Sequence, residues 1–94
     1  MGVNEFIKKH NIVIDENKVA VVARSANKPK QVVIENIFSA LQKFNASEQL
    51  IKKVLQNTYT WYELLDEPEV QIKDFVNENG KLDESGLYYW LISD

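Results

Sequence analysis

Between Lys30 and Phe44 the apolar residues Val33, Ile34, Ile37, Phe38, Leu41 and Phe44 recur at steps of three and four. That spacing is the period of a helix with one buried stripe. It predicts a central core helix over roughly 30–44, opened by Pro29. Val3, Phe6 and Ile7 suggest a short first helix over 3–10, too short to persist without packing. The next segment has a different texture. Ile12, Val13 and Ile14 are β-branched, Asp15 to Lys18 is turn-like, and Val19, Val21 and Val22 are β-branched again. This pattern predicts a β-hairpin, which needs a cover on one face.

Beyond the central helix, Asn45 followed by Glu48 matches a capping box. It predicts a helix over 46–56 that buries Leu50, Ile51, Val54 and Leu55. Thr60 and Glu63 make a second box, ahead of Trp61, Leu64 and Leu65. Asp66-Glu67-Pro68-Glu69 is a helix start, with acids beside a proline. Ile72, Phe75 and Val76 continue at helical spacing to Asn79-Gly80, which would stop that helix. Asn-Gly is also the signature of a type I′ hairpin turn, so a hairpin is the rival reading there. In the closing run Leu87 to Ile92, a strand would carry apolar side chains on both faces. A helix capped by Asp83 needs only one buried face and is the preferred reading, although Gly86 costs it about 1 kcal/mol.

The elements together predict an α+β fold: an amino-terminal β-hairpin packed on several short helices, with helix 30–44 central. The 94 residues predict one domain, 1–94, with one modest core. Cysteine is absent, so neither disulfides nor a thiolate metal site is expected. The amino-terminal stretch lacks an apolar run with a cleavage site, and no run approaches membrane-spanning length. A cytoplasmic protein is expected.

Charge changes the picture more than composition does. The net charge is −3, but residues 63–94 hold nine acids against Lys73 and Lys81, while residues 1–62 are net basic. The acidic third also carries Phe75, Tyr88, Tyr89 and Trp90. Tyr and Trp give large contact area at low entropic cost, and carboxylates around them steer a basic partner. The expected function is a non-catalytic protein-binding module, a small inhibitor or adaptor of a bacterium, phage or plasmid. It would use Asp66, Glu67, Glu69, Asp74, Tyr88, Tyr89 and Ile92 as its partner-binding residues. The same aromatics could instead pair with a second copy of the chain.

Chemistry is sparse. His10 is the single histidine and cannot build a zinc site alone. No serine sits in a nucleophile elbow, and glycines at 2, 80 and 86 make no phosphate loop. The carboxylates at 66–69 and at Asp83-Glu84 fall where helix starts want them. Asn77, Asn79, Gly80 and Asp83 echo a calcium loop, but Phe75 and Gly86 occupy its first and last positions, where carboxylates belong. No catalytic residue, metal or cofactor is expected. The rival function is a winged-helix-like nucleic-acid binder, with a reader helix near 60–66 and basic contacts from Arg24, Lys28, Lys30, Lys52 and Lys53. That reader would present Glu63 and Asp66 to phosphate and no Arg, Lys, Asn or Gln to bases, which disfavours it.

Overall fold

The segment expected as a hairpin is a helix. In the computed structural model, which describes residues 2–93, Asp15 Oδ1 accepts hydrogen bonds from the backbone N–H groups of Asn17 and Lys18 and caps a helix running Glu16–Ala26. Val19, Val22 and Ala23 form its buried stripe, and Val21 points outward. The β-branched residues misled because their helix penalty, at most about 0.7 kcal/mol each, is small beside burial of a Val side chain, roughly 1.5–3 kcal/mol. Their three- and four-residue spacing decides the state. Ile12 to Ile14 is an irregular link between two helices and belongs to no strand.

The order is α1 (Val3–Lys9), α2 (Glu16–Ala26), α3 (Lys30–Lys43), α4 (Glu48–Gln56), a 3-10 helix (Thr58–Leu64), α5 (Pro68–Lys73) and α6 (Glu84–Ile92). Among the described residues there is no strand, only an isolated antiparallel bridge between Val76 and Leu82. The fold is therefore all-helical, and the α+β expectation is overturned. Helix α3 is central as the periodicity predicts, packing against α1, α2, α4 and α5. Val33, Ile34, Ile37, Phe38, Ala40 and Leu41 are its buried face. Together with Phe6, Val19, Leu55, Trp61, Ile72 and Leu87 they belong to one contiguous hydrophobic cluster.

Three chain reversals share one device. Asn11, Asn27 and Asn45 adopt left-handed φ of 53°, 54° and 58° just past α1, α2 and α3. After each, the following N–H reaches back five residues: Ile12 to Ile7, Lys28 to Ala23 and Ala46 to Leu41. These are Schellman ends with asparagine in the glycine position. Asn45 thus terminates α3 and does not cap α4. The cap is Ser47, whose Oγ accepts from the Leu50 N–H at 3.1 Å. The second expected box gives a 3-10 helix, with Thr60 Oγ1 donating to the Asn57 carbonyl.

In the 68–80 region the helix reading holds only over its first half, and the rival hairpin reduces to the isolated Val76–Leu82 bridge, without the positive φ at Asn79 that a type I′ turn needs. Helix α5 ends at Lys73, and a tight turn follows in which Gly80 has φ 76°. Asn77 Oδ1 accepts from the N–H groups of Asn79 and Lys81. The tail is a helix, with Asp83 Oδ1 accepting from the Gly86 N–H at 3.0 Å. Gly86 earns its place there: a Cβ would lie 2.6 Å from the second carboxylate oxygen of Asp83.

Candidate interaction surfaces

Helix α6 rests on the 3-10 helix and α4. Leu87 and Leu91 are buried in that seat. Beneath it Trp61 is fully buried, its indole N–H donating to the Val54 carbonyl at 2.8 Å. Trp90 is half-buried against Phe75, ring centroids 5.6 Å apart. A side-chain clasp fixes the near end of α6. Glu84 accepts from both the backbone N–H and the hydroxyl of Ser47, at 2.5 and 2.9 Å. Tyr88 adds a second tie, its hydroxyl accepting from the Asn57 side-chain amide at 3.0 Å. The Lys53 ammonium stands 5.3 Å from the Tyr88 ring centroid.

These contacts leave a groove between α4 and α6 of about 500 Å³, whose walls include Leu50, Lys53, Tyr88, Tyr89 and Ile92. Tyr89 is 70% exposed and Ile92 37%. Side chains of this kind standing free beside a concavity are the usual anchors of recognition.

The acids predicted alongside these aromatics lie elsewhere. Asp66, Glu67 and Glu69 line a separate concavity of about 370 Å³, shared with Lys28, Asn36 and Val70, and with no residue in common with the α4–α6 groove. Glu69 is engaged by the Lys43 ammonium at 2.6 Å. Asp74 sits at the carboxyl end of α5 and lines neither concavity. The structure therefore brings Tyr88, Tyr89 and Ile92 together, groups Asp66, Glu67 and Glu69 apart from them, and leaves Asp74 alone. Sequence reading put Leu50 in the core and Lys53 among the basic contacts rather than beside Tyr88 and Tyr89, and it did not pick out the Ser47–Glu84 clasp. The clasp spans 37 positions, and no local pattern signals it.

His10 ends α1 and stacks on Phe6, centroids 4.3 Å apart, with its Nε2 3.5 Å from a Glu48 carboxylate oxygen. Among the described residues no three His, Cys, Asp or Glu side chains cluster to hold a metal ion, and no helix is long and apolar enough to cross a membrane. The segment of the rival reader helix is the 3-10 turn that buries Trp61 and Leu64. Comparison with protein-family models, curated proteins and solved structures gave no match.

Proposed function

We propose that this chain is a non-catalytic protein-binding module, a small inhibitor or adaptor, that seats a partner side chain in the α4–α6 groove. The observation that carries the reading is the exposure of Tyr89 and Ile92 on a helix already tied at Glu84 and Tyr88. A pre-positioned aromatic loses little entropy on binding, so more of its contact energy appears as affinity. The partner is a protein with an apolar anchor inside a basic rim. The nine acids of residues 63–94 supply the attracting field, while the groove supplies the contact. The proposed compartment is the cytoplasm, where a chain without cysteine forgoes nothing by lacking disulfides.

The test is comparative capture from the native host, followed by reconstitution of the purified pair. Baits are the wild type, Tyr89→Asp, Ile92→Lys and, as control, Val13→Lys at a position that does not line the groove and is 81% exposed. A protein held by wild type and control, and bound at least about tenfold more weakly by both groove variants, supports the reading. If the groove variants retain every wild-type partner at wild-type affinity, the groove is not the docking site.

A further inference from the structure

A second concavity lies beside the acidic one and carries the opposite charge. Arg24, Lys28 and Lys30 line it with Ala20, Ala23 and Pro29, enclosing about 580 Å³. Lys28 also lines the acidic concavity, so the two are side by side. The ion pairs among the described residues are Lys9–Glu48, Lys30–Glu16 and Lys43–Glu69, and His10 Nε2 stands 3.5 Å from Glu48. None uses Arg24, Lys28, Asp66 or Glu67, all four of which are exposed. Neighbouring patches of opposite sign, each with two charges left without an ion pair in the chain, are self-complementary.

We infer that this face pairs with a second copy of the chain. In a two-fold arrangement every contact occurs twice, residue i on j and j on i. An axis passing between the two concavities lays the basic one of one copy on Asp66 and Glu67 of its mate, and the reverse. A polyanion such as nucleic acid would meet Asp66 and Glu67 beside the bases it sought. A purely basic partner would meet Arg24 and Lys28. The surface that answers both patches at once is the one this chain itself presents. Single surface ion pairs contribute little, so the association is weak, fast and salt-dependent. Val70, exposed at the rim of the acidic concavity, adds apolar contact.

Sedimentation equilibrium at low salt and at ~1 M salt, where screening acts within about 3 Å, tests this directly. The full chain is expected to be a dimer of the 10.9 kDa monomer at low salt and a monomer at high salt. Arg24→Glu with Lys28→Glu should weaken self-association at least about tenfold, and so should Asp66→Lys with Glu67→Lys. Mixing the two variants in equal amounts should restore association to within about threefold of wild type, because both contacts are then opposite in sign again. That rescue needs folded chains, so it separates loss of contact from loss of structure. A low-salt monomer overturns the inference, and so does a dimer that ignores both reversals and dissociates on Tyr89→Asp. Monomers that instead bind a duplex oligonucleotide through Arg24 and Lys28 overturn it as well. The four charge-reversed residues are outside the α4–α6 groove, so their outcome is independent of the partner-capture experiment.

Discussion

Helices α3 and α6 are both rich in apolar residues, and the fold treats them differently. Helix α3 carries its apolar side chains on one stripe and buries nearly all of them under four neighbouring helices. Helix α6 is apolar on every side over residues 87–92, yet only Leu87 and Leu91 are buried; Tyr89 is 70% exposed, and Ile92, like Val32 of α3, 37%. Folding alone explains the composition of α3. It does not explain α6, which carries more apolar surface than its seat requires. That surplus distinguishes an element held for stability from one with surface left over for recognition.

The contrast can be broken most sharply within the core. Leu41→Ala in α3 and Leu87→Ala in α6 both truncate fully buried side chains, and each should cost roughly 2–5 kcal/mol in urea unfolding. A loss below about 1 kcal/mol at Leu87 would mean α6 is not seated as described. Next comes Asp15→Ala, which removes the cap of α2 and should cost about 1 kcal/mol with a loss of helical circular dichroism. A hairpin at 12–22 would leave that signal unchanged. Glu84→Ala should cost about 1 kcal/mol. Its particular mark is faster amide exchange along α6 with little change in α3. The smallest effect is expected at Tyr89→Ser, within about 0.5 kcal/mol of wild type. A large loss there would show that the exposed ring supports the fold and would remove the distinction between the two helices.

Much of the helical framework was legible because its signals are local. The stripe of α3, the Asp83 cap and the proline start of α5 are each read within a few residues. Residues 12–22 were misread because β-branching was weighed above spacing; Val19, Val22 and Ala23 already stood at helical intervals. Asn45 and Ser47 both suit a helix cap, and only the left-handed φ of Asn45 assigns it to the end of α3. The candidate surfaces were legible only in their parts. Sequence placed the acids and aromatics in one segment, but α5 packs on α3 while α6 packs on α4 and the 3-10 helix. Segment composition carries no information about such a division, and neither the Ser47–Glu84 clasp nor the concavity that Lys28 shares with Asp66 and Glu67 has a local signature.

The chain's two tryptophans occupy unlike surroundings, and that makes it its own optical instrument. Trp61 is sealed in the core with its indole N–H held by Val54, whereas Trp90 lies half-covered beside Phe75 on α6. With Trp90→Phe the remaining emission should stay blue until water reaches the centre of the molecule. With Trp61→Phe it should follow the seating of the last helix. Two colours of one fluorophore would then time the loosening of α6 against the collapse of the whole.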